Sequence, residues 1–118
     1  MIKFDIQKKI KTGGVTARGT FADVGTGHIT AGDGAKMGTA CPYHYAEVDA
    51  VCGPEDIPGS IFNIPKDVTF DEVAGKLKGY GMSDAFIAIF KEAYDQHFDK
   101  IIFDRDGPVY DELEQFDW

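Results

Sequence analysis

The sequence has few cysteines, few basic residues and no long apolar segment. Only two cysteines, Cys41 and Cys52, occur in 118 residues. They are expected to be reduced, because nothing else in the sequence indicates an oxidising compartment. No apolar run approaches the roughly 18 residues that are needed to cross a bilayer. The first residues also lack the apolar middle region of a secretory signal. The sequence therefore predicts a cytoplasmic protein with no membrane interaction.

Basic residues are outnumbered by acidic ones, with 12 Lys and Arg against 20 Asp and Glu and a formal net charge of −8. The excess is greatest near the C-terminal end, where residues 84–118 contain ten carboxylates and three basic side chains. A surface with this charge repels nucleic acid and attracts basic proteins. Direct binding to DNA or RNA is therefore not expected.

The first third of the chain is typical of a strand hairpin followed by a loop. Apolar and polar residues alternate over residues 1–11, which predicts a strand. Gly13-Gly14 indicates a turn, and residues 15–24 predict a second strand that pairs with the first. Glycines are dense in residues 25–34, which predicts a loop in which Thr30 can cap a short helix.

The middle of the chain predicts a second hairpin. Residues 40–51 carry Tyr and Val with Pro42 near the start, which favours a strand close to a sheet edge. Residues 53–59 contain two prolines and two glycines and predict a turn. Residues 60–64 form a short apolar run that predicts a strand pairing back on the preceding one.

Two helices and one strand are predicted after the second hairpin. Thr69 and Glu72 have the spacing of a capping box, and the helix is expected to reach Lys78 and to end at Gly79. Ser83 is expected to cap a second helix, whose apolar stripe comprises Phe86, Ile89, Phe90, Ala93 and His97.

The run of residues 100–104 is apolar on both faces, which predicts an interior strand. Asp106-Gly107 predicts a turn, after which the chain is expected to return as a short strand from Val109. The length and the 43% content of hydrophobic residues suit one domain over residues 1–118. We therefore predict a single α+β domain with an antiparallel sheet of four to six strands and two helices packed on one face.

Three groups of residues are candidates for metal or ligand chemistry. Cys41, His44 and Cys52 lack the paired spacing and fourth ligand of a structural zinc site, so no metal is expected. The glycine-rich loop lacks the endings of phosphate-binding motifs, and no cofactor is expected. His28, Thr30 and Asp33 can in principle form a polar pocket, which leaves a small enzyme or ligand-binding protein as an alternative.

The carboxylates near the C-terminus form a fourth group of candidate residues. Their spacing does not match a calcium-binding loop, and the sequence gives no geometric support for a glycosidase pair. A solvated chain end and an acidic protein-binding face are the two remaining interpretations. Because no catalytic motif is present, enzyme activity is not favoured. We predict that the partner-binding residues are Asp104, Asp106, Asp111, Glu112, Glu114, Asp117 and Trp118.

Several stretches resemble a domain-of-unknown-function family from plasmid and phage accessory regions. They cover about half of the chain and comprise TGHIT at residues 26–30 with Asp33, Ser83-x-Ala85-Phe86, IIFDRDG at 101–107 and Leu113-x-x-Phe116-Asp117-Trp118. The resemblance transfers no catalytic residue. It implies a setting of mobile genetic elements, in which anti-restriction and anti-CRISPR proteins are common.

These observations lead to a hypothesis of function. The protein is expected to be a small acidic anti-defence protein, either anti-CRISPR or anti-restriction, that blocks a host complex acting on nucleic acid. Its partner would be the basic surface of that nuclease or CRISPR complex, since a surface that binds phosphates also attracts clustered carboxylates. An interaction module of a larger assembly is a further alternative. The sequence does not indicate an oligomeric state.

Overall fold

The computed structural model describes residues 2–12, 15–38, 40–47, 59–105 and 107–116. In these ranges the chain forms five strands, three α-helices and one short 3-10 helix at Thr26–His28. The strands are β1 (Asp5–Thr12), β2 (Val15–Gly25), β3 (His44–Glu47), β4 (Gly59–Asn63) and β5 (Lys100–Asp104). The α-helices are α1 (Ala31–Lys36), α2 (Phe70–Gly79) and α3 (Asp84–Asp95).

The strands form one sheet in the order β1-β2-β5-β4-β3. Both predicted hairpins are present, because β1 pairs with β2 and β3 with β4, in each case antiparallel. The strand β5 lies in the interior, antiparallel to β4 and parallel to β2. The α+β prediction is therefore confirmed, with one parallel pair in an otherwise antiparallel sheet.

One aromatic cluster joins the helices to the sheet. Phe62 of β4 and Phe103 of β5 meet Phe86 and Phe90 of α3, and all four side chains are fully buried. The ring centroids of Phe86 and Phe103 are 5.1 Å apart, and those of Phe62 and Phe86 are 5.4 Å apart. Val73 and Leu77 of α2 belong to the same core. Burial of each such side chain stabilises the fold by about 1.5–3 kcal/mol.

The helix starts follow the predicted caps and α2 ends at Gly79 as predicted, whereas the end of α3 differs from the prediction. The side chain of Thr69 accepts a hydrogen bond from the Glu72 amide at 3.4 Å, and that of Ser83 from the Phe86 amide at 3.1 Å. Gly79 is the last residue of α2, and the left-handed conformation after the helix belongs to Gly81, with φ +95°. His97 is exposed and left-handed after α3, so it does not extend the apolar stripe.

The chain after β5 differs most from the prediction. The strand expected from Val109 is absent, and residues 107–116 form an irregular segment, here called the C-terminal segment. Its backbone bonds to the end of β2 and the turn after it, through Gly25 N to Pro108 O at 3.0 Å and Phe116 N to Gly27 O at 2.7 Å. The predicted turns at Gly13-Gly14 and residues 53–58 lie outside the described residues, as does Cys52.

The edges of the sheet are formed by β1 on one side and β3 on the other. The strand predicted over residues 40–51 is described as β3 at the sheet edge, so its edge position is confirmed. On the other edge, Ile2 and Phe4, which precede β1, are buried, whereas Ile6 within β1 is exposed. None of the helices in the described ranges is long and apolar enough to span a membrane.

The contact between Gly25 and the C-terminal segment gives a test of this arrangement. A Cβ atom at residue 25 would lie 2.8 Å from the Gly107 carbonyl oxygen, whereas at Gly27 nothing lies within 4 Å. We expect Gly25→Ala to lower the free energy of unfolding by about 1–3 kcal/mol through this overpacking. Gly27→Ala is the control and should change it by less than about 0.5 kcal/mol. Urea unfolding measures both, and equal effects of the two substitutions would contradict the proposed close approach.

Candidate functional site

The buried side chain of His28 holds the C-terminal segment in place through hydrogen bonds. Its side chain is 1% exposed, and its Nε2 lies 2.8 Å from the Tyr110 amide nitrogen. Its Nδ1 lies 2.6 Å from the Glu114 carbonyl oxygen. An amide can only donate and a carbonyl can only accept, so the ring is neutral with its proton on Nδ1. His28 therefore holds two points of the segment through one imidazole.

Tyr110 provides a second attachment for the segment. Its hydroxyl donates to the carbonyl oxygen of Asp23 at 2.6 Å and accepts from the Asp5 amide at 2.8 Å. Its ring stacks on His28 with centroids 5.9 Å apart and meets Phe4 edge-on at 5.4 Å. Burial raises the pKa of Tyr110 to about 12. The phenol is therefore neutral and serves as both donor and acceptor.

The anchored segment forms one wall of a groove. Residues of the first turns of α3 form the opposite wall, and the groove has a volume of about 260 Å³. Its rim carries exposed carboxylates, while its floor is partly apolar. We call this feature the acidic groove; besides His28, it is lined by Asp84, Ala85, Ala88, Glu112, Leu113 and Glu114. An aliphatic chain with a cationic end fits this combination of apolar floor and acidic rim.

The structure separates the acidic residues that the sequence grouped together. Asp111, Glu112 and Glu114 are exposed on the C-terminal segment. Asp104 is only 3% exposed, because it is the last residue of β5 and lies inside the sheet. It therefore takes no part in the exposed acidic surface. The other three predicted residues, Asp106, Asp117 and Trp118, lie outside the described residues.

Asp84 belongs to the groove, although it was not among the predicted partner-binding residues. The sequence placed it correctly at the start of α3, where a carboxylate stabilises the helix dipole. Its position beside Glu112 and Glu114 depends on how the C-terminal segment packs against α3. No local pattern in the sequence indicates the contact between the C-terminal segment and α3.

The alternative site at Thr30 and Asp33 has a structural role. Asp33 is 1% exposed, and its carboxylate accepts hydrogen bonds from the Thr30 amide at 3.0 Å and the Ser83 amide at 2.8 Å. It also accepts from the Ser83 hydroxyl. The Thr30 hydroxyl accepts in return from the Asp33 amide at 3.0 Å, which completes a capping box at α1. Asp33 thus connects the start of α1 to the start of α3.

The candidate metal ligands do not converge in the described part of the chain. Cys41 is buried, and desolvation, with a contribution from the charge of Asp33, raises its pKa to about 11. His44 packs edge-on against Phe62, with ring centroids 5.4 Å apart. Among the residues that the structure describes, no three His, Cys, Asp or Glu side chains are grouped to hold a metal ion.

A second groove, of about 270 Å³, lies between the end of α3 and the chain after β4. Its walls are mainly apolar and include Ile64, Pro65 and Phe98. Lys66 lies at this groove and forms an ion pair with Asp99 at 2.6 Å. The exposed carboxylates of the C-terminal segment do not line this groove, so the acidic groove remains the candidate for a basic partner.

Two buried carboxyl groups lie close together at the ends of β2 and β5. Asp23 is 4% exposed, and the neighbouring Asp104 is also buried. Gln7 donates from its amide nitrogen to Asp23 Oδ2 at 3.1 Å. Asp23 Oδ1 is buried and has no donor among the described residues. Burial, and then the hydrogen bond and charge of Asp104, raise the pKa of Asp23 to about 7.

The contacts of Asp33 predict a large effect of its removal. We expect Asp33→Ala to lower the free energy of unfolding by about 2–4 kcal/mol, because two amides and one hydroxyl lose a charged acceptor. Asp71→Ala, which removes an exposed carboxylate from the first turn of α2, should cost less than about 1 kcal/mol. Thermal or urea unfolding compares the two variants. A loss at Asp33 no larger than that at Asp71 would contradict the proposed link.

The raised pKa of Asp23 predicts a dependence of stability on pH. Above its ordinary value of 3.8, the folded protein keeps a proton that the unfolded chain has lost. This contribution is therefore complete below about pH 4 and is lost as the pH rises to about 7. The expected slope is at most about 1.4 kcal/mol per pH unit. Urea unfolding should show this decline in the unsubstituted protein and a flatter profile in Asp23→Asn. Parallel profiles would rule out the shift.

Comparison with known proteins supplies a family but no activity. A family model, described as the C-terminal domain of the family of unknown function DUF5983, matches residues 21–118. The comparison with curated proteins found no match, and neither did the comparison with solved structures. The matched region begins within β2 and contains all the residues that line the acidic groove. The match covers most of the chain and confirms the expected membership of a family of unknown function: the protein belongs to the DUF5983 family.

Proposed function

We propose that this protein is a non-enzymatic anti-defence inhibitor that binds the basic surface of a host complex acting on nucleic acid. The partner would be a CRISPR or restriction complex, and we propose with it an origin in plasmid or phage accessory regions. The observation that carries the proposal is the acidic groove between α3 and the anchored C-terminal segment. Its carboxylates would occupy the positions that nucleic-acid phosphates take on the partner.

The chemistry of the groove supports a basic protein as the ligand. Glu112, Glu114 and Asp84 are exposed at the rim, where they can pair with Lys or Arg side chains. Ala85, Ala88 and Leu113 provide apolar surface for the aliphatic stems of those side chains. The net charge of −8 would add long-range attraction and speed the encounter.

The anchoring of the segment also supports a binding role. Residues 107–116 lack regular secondary structure, yet His28 and Tyr110 fix them at several points. A segment that is already ordered loses less conformational entropy when a partner binds. The carboxylates are therefore preorganised for a partner of fixed shape.

The competing hypothesis of an enzyme or ligand-binding site at His28, Thr30 and Asp33 has less support. Both ring nitrogens of His28 are hydrogen-bonded to backbone atoms of the C-terminal segment. The carboxylate of Asp33 and the hydroxyl of Thr30 are used in helix capping. These contacts explain the three side chains without a substrate.

Neutralising the segment tests the proposal directly. The variant Asp111→Asn/Glu112→Gln/Glu114→Gln removes three exposed charges and leaves Asp84 to stabilise α3. Its affinity for purified CRISPR and restriction complexes should fall about tenfold or more at low salt, since rim charges act mainly through attraction. The difference from the unsubstituted protein should shrink as salt is added, because salt screens exposed charges. Titration at four or more salt concentrations measures both effects.

A control variant separates the groove from total charge. Asp67→Asn/Asp71→Asn/Glu72→Gln also removes three exposed carboxylates, but from α2 and the residues before it. This variant should keep most of its affinity. Unchanged binding by the segment variant would refute the role of the segment. Equal losses in both variants would show that overall charge, and not the groove, attracts the partner.

A further inference from the structure

The Asp23 and Asp104 pair is not explained by the acidic groove. In the parallel pairing of β2 with β5, Asp23 lies opposite Ile102 and Gly25 lies opposite Asp104. Asp104 therefore lies two residues further along the strand direction than Asp23, on the neighbouring strand, and both residues are on the same face of the sheet. Asp5 lies opposite Asp23 on β1, and Gly59 lies opposite Asp104 on β4. Carboxylates from three strands thus form a row across the sheet.

The charge state of this row depends on one proton. Asp23 and Asp104 are both buried, and two buried carboxyl groups this close together are stable only if one of them is protonated. Among the described residues, the titratable groups facing Asp23 are Asp5 from β1, Asp104 from β5 and Tyr110 from the C-terminal segment. Asp5 adds further negative charge, and Tyr110 stays neutral. Loss of that proton would place two buried negative charges side by side.

The backbone of both acids is attached to the C-terminal segment. The Asp23 carbonyl accepts from the Tyr110 hydroxyl at 2.6 Å. The Asp104 carbonyl accepts from the Gly107 amide at 3.1 Å, where the segment begins. Two residues after Asp23, the amide of Gly25 donates to Pro108 at 3.0 Å. Separation of the strand ends would therefore disturb three attachments of the segment.

We propose that the proton on the buried carboxyl of Asp23, which lies beside Asp104, controls the docking of the C-terminal segment. The segment is docked while Asp23 holds its proton, and it is released as Asp23 ionises with rising pH. Release would move Glu112 and Glu114 away from α3 and open the acidic groove. Only this last consequence, a weaker grip on a basic partner at higher pH, rests on the proposed function.

Amide hydrogen exchange of the free protein tests the docking. The informative amides are those of Tyr110, Leu113 and Phe116, which donate to His28, Tyr110 and Gly27. Exchange is measured at pH 6 and pH 8.5 and divided by that of a synthetic peptide of residues 107–116, which removes the chemical effect of pH. Protection should fall about tenfold or more, because one proton can change an equilibrium up to tenfold per pH unit.

Two variants assign the effect to the pair. Asp23→Asn keeps a side chain of the same shape but cannot ionise, so its protection should be the same at both pH values. Asp111→Asn alters an exposed carboxylate on the segment itself and should keep the full loss of protection. His28 is present in both variants, so a loss of protection caused by His28 would persist in Asp23→Asn. If Asp23→Asn does not fold, Asp104→Asn removes the neighbouring charge that helps to raise the pKa of Asp23, and the loss of protection between the two pH values should then be smaller.

The outcomes are distinct from those of the binding experiment. Equal protection of the unsubstituted protein at the two pH values would overturn the proposal without any variant. A loss of protection in Asp23→Asn, or in Asp104→Asn where it is used instead, as large as in the unsubstituted protein would also overturn it. Neither result would affect the proposed function, because no partner is present. Conversely, a failure to bind basic complexes would leave the exchange result standing.

Discussion

The structure depends on the position of β5 inside the sheet. Its residues Ile101, Ile102 and Phe103 are fully buried, so the strand needs cover on both faces and a partner on both edges. Insertion between β2 and β4 supplies the two edges and creates the one parallel pair. It also places Asp104 beside Asp23. The C-terminal segment, which follows β5, therefore begins next to the end of β2. The acidic groove and the carboxyl pair both follow from this insertion.

The C-terminal segment shows how a chain without a strand ladder can be held in place. Buried backbone groups need hydrogen-bond partners, and here the partners are a histidine ring, a tyrosine hydroxyl and the backbone around Gly25 and Gly27. Because these bonds use the backbone and the buried side of the segment, its carboxylates remain exposed. The same contacts would transmit a change at Asp23 to the surface that is proposed to bind a partner.

The predictions that succeeded depend on residues close together in the sequence. Ser83 caps α3 and Thr30 caps α1 through amides three residues away, and such contacts follow from local spacing alone. The predictions that failed depend on distant contacts. Asp104 was grouped with the exposed acids, since its burial depends on the distant strand β2 and no local pattern indicates it. In place of the strand expected from Val109, the chain is irregular there and forms hydrogen bonds to His28 and Gly25.

By itself the sequence determined the elements: the two hairpins, the capped helices, the interior character of β5 and the excess of negative charge. These follow from periodicity, capping and composition, which act over a few residues. Only the tertiary structure decided which acids are exposed, which two carboxyl groups are buried beside each other and which helix faces the segment. Those outcomes depend on the order of strands in the sheet, since that order brings distant residues into contact, and no local pattern encodes it.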